Sequence, residues 1–330
     1  MRRFLLLLLP ALLQAAGLQI YAIDVEGGKS TLYVSPSGQS MLVDAGYDGI
    51  GGRDAKRIAE AARAAGVRQI DYLVVTHYHH DHVGGVPQLA ARIPIRNFVD
   101  HGRNFEDVKD NGAVYDAYLK ARKAGNHIEV KAGDVIPIEG LRVDVVTASG
   151  VAIAKPLERG GQPNPACAAY KAIDPDHGEN SHSIGMVIQY GSFRAVDLGD
   201  LYWNQEHDLA CPENKLGTVD VYMTTHHGKK TSGSPQEVWA LHPKVAIMNN
   251  GPTTGGSEQA WQTIHDSPGL LDLWQLHYAT KNDRQHNVDE RFIANTAESG
   301  CAGAWIRVEA AADGSFTVRN GRTGFDKSYR

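Results

Sequence analysis

Cysteine is scarce in this sequence: Cys167, Cys211 and Cys301 are the three in 330 residues, and none stands near another, as a thiolate zinc site would require. Their odd number allows at most one disulfide and one leftover thiol. A Cys167–Cys211 bridge would brace a loop, but the sequence does not assign the pairing. An excess of charge of one sign is also lacking. There are 33 Lys and Arg against 38 Asp and Glu, a net charge of -5 with His neutral, so the chain-wide basic excess of a protein that grips many phosphates is absent. No extended nucleic-acid surface is expected, although a local basic patch is compatible with this balance. The 42% hydrophobic content and 35 glycines are ordinary for a globular α/β protein and exclude a fibre or a wholly disordered chain. Past the first residues, no apolar run approaches the length of a membrane span.

The first residues are a different matter. Met1-Arg2-Arg3, the apolar stretch Phe4 to Leu9, and Pro10 to Gly17 ending in small residues have the charge, length and composition of a secretory signal. Residues 1–17 are read as that signal. Cleavage before Leu18 would leave a mature domain of residues 18–330, periplasmic or secreted, with no membrane attachment. An uncleaved tether is the other reading, and Arg2-Arg3 is explained by an ordinary basic start rather than a twin-arginine signal.

The densest chemistry lies in Thr76-His77-Tyr78-His79-His80-Asp81-His82, followed by Val83-Gly84-Gly85. The run Ile70 to Val75 before it is apolar and free of turn residues, so it reads as a buried strand that delivers this loop at its C-terminal end. From such a loop His77 and His79 can project to one side, while Asp81 and His82 turn back on the other as a Gly-rich helix start begins. Imidazoles and a carboxylate suit zinc, iron or manganese. With no thiolate nearby, an open catalytic site is expected rather than a closed structural one. A solvated His-rich turn is the bland alternative, weakened because strand, turn and helix all fall where the chemistry needs them.

Strands are expected at 20–25, 30–34 and 40–43, a helix at 53–65, the strand at 70–75, a helix at 86–92, a strand at 95–99, a helix at 113–124, and strands at 135–138 and 141–147. Residues 148–180, rich in Gly and Pro, read as a long loop or lid. A second half follows: strands at 184–190 and 193–197, a helix at 202–209, a strand at 219–224, a helix at 235–241, a strand at 245–249, a helix at 257–265, and strands near 270–276 and 304–308. Two similar halves suggest two sheets packed face to face with helices outside.

Two metals need more ligands than the loop offers. His182 opens the first strand of the second half and could complete a set with His77 and His79. Asp200, in Leu198-Gly199-Asp200, follows a strand and has two oxygens with which to serve both ions. Either His226 or His227, ahead of Gly228, could join Asp81 and His82. Asp44 could stand behind an imidazole or simply cap a turn. Lys229, with Lys230, could meet an anionic substrate group or be solvated, and Asn250 could line the pocket or sit in a plain turn.

These residues, with the blocks Asp24 to Ser30, Leu42 to Gly46, Asn180 to Ser183, Leu198 to Asp200 and His226 to Gly228, resemble the metallo-β-lactamase superfamily, and within it the hydrolase domains of competence-type DNA-uptake proteins. The resemblance implies an α/β fold of four layers, an αββα sandwich with a dinuclear site at one edge, and the histidine before glycine, His227, as the last ligand, with His226 the alternative. Competence-type relatives often lack the full histidine set that His77, His79 and His182 would provide here. That departure sets the DNA-uptake analogy apart.

A metal-dependent hydrolase is the expected activity. Two divalent ions roughly 3.5–4 Å apart can share a hydroxide, with Asp81 holding the second ion and handling a proton. Zinc is the expected metal, with manganese or iron as others. The expected substrate is a phosphoester or phosphodiester; lactam, lactone or thioester opening on the same site is the alternative. A di-iron redox protein is a second alternative, for which no electron-partner module is visible.

Overall fold

Two β-sheets, each part antiparallel and part parallel, face one another in the computed structural model, which describes residues 17–106, 112–297 and 300–330. The expected signal segment therefore lies outside the described residues except for Gly17. The first sheet runs Asp326–Tyr329, Phe316–Asn320, Ile306–Ala310, Leu18–Ala22, Thr31–Val34, Ser40–Val43, Ile70–Val74, Ile95–Asp100, Asn126–Glu129. Its last four strands are parallel. The second runs Ile293–Asn295, Asp272–His277, Val245–Met248, Val221–Met223, Phe193–Asp197, Gly185–Tyr190, Arg142–Ala148, Val135–Ile136, with Val151–Ala152 paired to Arg142–Ala148. Its first five are parallel.

Alternation along each strand builds three apolar layers. Met41, Val43, Val74 and Val99 point between the sheets, where they meet Val145, Met186, Ala195, Met223 and Ile247. The intervening Leu42, Leu73 and Phe98 face outward and are covered by Ile58, Ala59 and Ala62 of the helix Arg53–Ala64 and by Leu89 of Val86–Ala90. On the far side Val196, Tyr222 and Ala246 are covered by Leu209, Leu241 and Ile264 from the helices Trp203–Ala210, Pro235–Leu241 and Glu258–His265. The result is the four-layer αββα sandwich. Burial on both faces is why these strands read as nearly continuous apolar runs.

Several boundaries differ from the sequence reading. The first strand is Leu18–Ala22, ending before Asp24, because Asp24 to Lys29 form a turn that approaches the His-rich loop. Strands Asn126–Glu129, Ile293–Asn295, Phe316–Asn320 and Asp326–Tyr329 were not anticipated, being short or polar on alternate residues. The two halves are also not one sheet each: Val135–Ile136 and Arg142–Ala148 join the second sheet, while residues 306–329 return to the first. Residues 148–180 carry the short pairing Gln162–Pro163 with Glu213–Asn214 and helical turns at Pro165–Ala169 and Glu179–His182. Cys167 and Cys211 form a disulfide that fastens this segment to the end of Trp203–Ala210, and Asn164 adds bonds from Nδ2 to the Ala210 and Gln236 carbonyls at 3.0 and 2.8 Å. Among the described residues, no helix is long and apolar enough to cross a membrane.

Candidate metal centre

Parallel strands place the loops at their C-terminal ends along one edge, where open α/β sheets gather ligands. The loop after Ile70–Val74 carries His77 to His82, the turn after Phe193–Asp197 carries Asp200, and the turn after Val221–Met223 carries His226 and His227. Close approach needs glycine, as two positions illustrate. A Cβ on Gly28 would stand 2.5 Å from the Asp81 carbonyl oxygen, and one on Gly85 would stand 2.1 Å from that of Ala45.

Asp44 organises the His-rich loop. In the left-handed region at φ 60°, it accepts from the Thr76 backbone N–H at 2.8 Å and the Thr76 hydroxyl at 2.7 Å. The same Oδ2 lies 2.7 Å from His82 Nδ1. A carboxylate accepts only, so His82 carries its proton on Nδ1 and turns Nε2 toward the site.

That Nε2 lies 3.2 Å from His227 Nε2, 3.2 Å from Asp200 Oδ2 and 3.6 Å from Asp81 Oδ2. His227 Nε2 is 3.3 Å from Asp81 Oδ2 and 3.4 Å from Asp200 Oδ2. A tetrahedral ion with ligand bonds of about 2.0–2.2 Å separates its donors by about 3.3–3.6 Å. The four residues Asp81, His82, Asp200 and His227 therefore fit one cation, and Asp200 Oδ1 is buried with no hydrogen-bond partner among the described residues. The local field favours a cation. Burial alone would lower His82 and His227, but Asp200 and Asp81 outweigh it and raise both imidazoles, while the two carboxyls are held below the usual range against the burial that would raise them.

A second donor group lies beside the first. His77 Nε2 is 3.0 Å from His79 Nδ1 and 4.0 Å from Asp200 Oδ2. Burial, then the neighbouring His82 and His79, pushes His77 well below the usual imidazole range, which keeps it neutral. His79 donates from Nε2 to Glu106 Oε1 at 3.1 Å, leaving Nδ1 to face His77.

His182, expected to complete this group, makes none of the ring contacts that join His77, His79 and Asp200 among the described residues. It ends the turn Glu179–His182 rather than opening a strand; its ring stacks on Phe105 at 3.7 Å and its Nδ1 lies 2.8 Å from the Gly178 carbonyl oxygen. His226 and His227 are both in the left-handed region, at φ 52° and 55°, a costly conformation for non-glycine residues that separates their rings. His227 enters the four-residue group; His226 faces the cavity, with Nε2 3.4 Å from Asp200 Oδ2. Burial holds His226 down at about 3. Asn250 does not line the cavity: it is fully buried, and its amide bonds the Gly251 and His277 carbonyls.

The cavity of about 660 Å³ is lined by Asp81, Asp200 and His79 together with Lys229, Lys230, Lys281 and Tyr202 among others. Sequence reading missed Lys281, Glu106 and Glu179. Glu179 accepts from the Tyr78 and Phe105 backbones at 2.9 and 2.7 Å and faces His101 at 3.2 Å, tying the His-rich loop to the 148–180 segment. Neither glutamate stands in a pattern that would mark it. Lys29, fully buried, pairs with Asp197 beneath the site and was visible only as part of the Asp24 to Ser30 block.

Replacing Asp44 by Ala is expected to weaken the ion held through His82 about 10–100-fold, the range found when an outer partner of a ligand is lost. Competition with a chromogenic chelator measures this; unchanged affinity would show that Asp44 only caps a turn.

The family model described as the metallo-beta-lactamase superfamily matches residues 23–165. The chain is 26% identical over 234 residues to ComE operon protein 3 of Bacillus subtilis, covering 69% of this chain and 25% of that protein. It is 23% identical over 312 residues to Recombination protein 2 of Haemophilus influenzae, covering 94% and 31%. It thus spans a quarter to a third of the length of these relatives. Among solved structures, the metallo-beta-lactamase fold protein YhfI of Bacillus subtilis superposes with a TM-score of 0.48 at 11% identity, over 78% of this chain and 95% of that one.

Proposed function

Since the chain belongs to the metallo-β-lactamase superfamily, we propose that it is an exported hydrolase dependent on two divalent metal ions, with a phosphoester or phosphodiester as substrate. The observation that carries this reading is the spacing of Asp81, His82, Asp200 and His227 around a common centre, with His77 and His79 beside it. Asp81, His82 and His227 would hold one ion, His77 and His79 the other, and Asp200 would serve both through its two oxygens. When bound, such ions, zinc foremost, supply Lewis-acid polarisation of the substrate and activation of water.

The protein's own part is positional. Asp44 and Glu106 fix the faces that His82 and His79 present, and Asp81, which reaches the cavity, orients water and takes up a proton. Lys229, Lys230 and Lys281 supply positive charge to the cavity wall and favour an anionic substrate over a neutral lactam or lactone. Export is supported by the composition of residues 1–17 and by the Cys167–Cys211 disulfide, a bond that persists in oxidising compartments.

Hydrolysis of a phosphomonoester, a phosphodiester, a lactam and a lactone by the metal-loaded protein tests the proposal. Cleavage of one of the phosphate esters, abolished by chelator and restored by metal, is the expected result. Cleavage of the lactam or lactone alone would reassign the substrate, and no cleavage with iron bound would move the protein to redox chemistry.

A further inference from the structure

Two adjacent histidines share a strained turn, yet only His227 belongs to the four-residue donor group. The ring of His226 is fixed on both sides. Its Nδ1 lies 3.1 Å from Ser232 Oγ, its face lies 5.4 Å from the Tyr202 ring, and its Nε2 is 2.9 Å from Lys229 Nζ. An ammonium can only donate, so Nε2 accepts and the Nδ1 proton points to Ser232. The backbone holds the same arrangement, since His226 N–H donates to the Gly199 carbonyl at 3.0 Å and Lys229 N–H to that of His226 at 2.9 Å.

A lysine side chain has many rotamers, and an ordinary surface lysine spreads over them. Lys229 does not have that freedom. It is half-buried on the cavity wall and tied to an imidazole whose Nε2 is itself 3.4 Å from Asp200 Oδ2, so its charge is set down at the edge of the donor group. Lys230 and Lys281, also on the wall, are exposed and have no ion pair among the described residues.

We propose that Lys229 is the residue that anchors a phosphoryl oxygen of the substrate next to the metal centre, and that His226 is a positioning residue that aims Lys229 rather than a metal ligand. The substrate class rests on the hydrolase reading given above; the aiming of Lys229 by His226 does not. Lys230 and Lys281 form an outer, interchangeable ring of charge, whereas Lys229 sets specificity for an oxyanion over a neutral group.

Inorganic phosphate is the probe, titrated calorimetrically into the metal-loaded full chain, with metal content measured on every variant. Lys229→Met is expected to weaken phosphate binding about tenfold or more, as loss of one charged hydrogen bond does, and Lys229→Arg to recover part of it. His226→Phe should weaken binding nearly as much, and the double variant no more than Lys229→Met alone, because the two act through one contact. His226→Gln, which keeps an acceptor, should restore part of the loss. With a phosphate ester as substrate, KM should rise while kcat changes little. Unchanged phosphate affinity in Lys229→Met, additive losses in the double variant, or loss of metal from His226→Phe would each overturn the proposal. Phosphate binding that follows this pattern in a protein that cleaves no ester would instead contradict the hydrolase reading and leave the role of Lys229 standing.

Discussion

Asp200→Asn is expected to remove at least one metal ion per chain and to lower the affinity for the other by more than about 100-fold, the upper end of what loss of a mere outer partner costs. Asp200 is the carboxylate that faces both donor groups among the described residues: its Oδ2 is 3.2 Å from His82, 3.4 Å from His227 and 4.0 Å from His77, and its Oδ1 is buried without a hydrogen-bond partner there. Asparagine keeps the volume and one oxygen but gives up the charge and replaces the other oxygen with a donor, which cannot hold a cation. Hydrolysis should fall with the metal. Elemental analysis and rate on the same sample separate the causes; an Asn variant that keeps its full metal complement and rate would show that the two donor groups do not share this carboxylate.

The largest effect on folding is expected at Lys29. Its ammonium is completely buried and paired with Asp197, so the bond joins the turn after the first strand to the end of Phe193–Asp197 in the opposite sheet. Burial alone would lower Lys29, but Asp197, Asp44 and Asp200 outweigh it and raise it, so the charge is retained. Lys29→Met would leave Asp197 as an uncompensated buried anion, and removing one partner of such a pair costs about 3–5 kcal/mol. Denaturant unfolding of the metal-free protein measures it. Lys29→Met combined with Asp197→Leu should recover much of the loss, since an apolar replacement of both partners is often near neutral. A single-variant loss under about 1 kcal/mol, the scale of a solvent-exposed pair, would contradict the burial assigned to it.

The route from residues to structure was shortest where one physical rule acted alone. The run Ile70 to Val75 and the place of the loop after it were legible because a strand buried on both faces must be apolar throughout, and because loops gather along the edge where parallel strands end. The place of Asp200, just past the end of Phe193–Asp197, was legible for the same reason. The surroundings of His182 were not: its ring stacks on Phe105, which comes from a loop far away in sequence. The C-terminal strands Phe316–Asn320 and Asp326–Tyr329 were missed because they lie toward one side of the first sheet, where exposed alternate residues weaken the apolar signal. Glu106 and Glu179 act through contacts to a backbone or an imidazole that no local pattern encodes.

The most direct test of the central claim is elemental analysis of the full chain purified without chelator and exchanged into metal-free buffer. About two divalent ions per chain, the complement of a two-metal hydrolytic site, is the expected result, falling when His79 or Asp200 is replaced. Absence of any stoichiometric metal, in protein whose folding is intact, would contradict it.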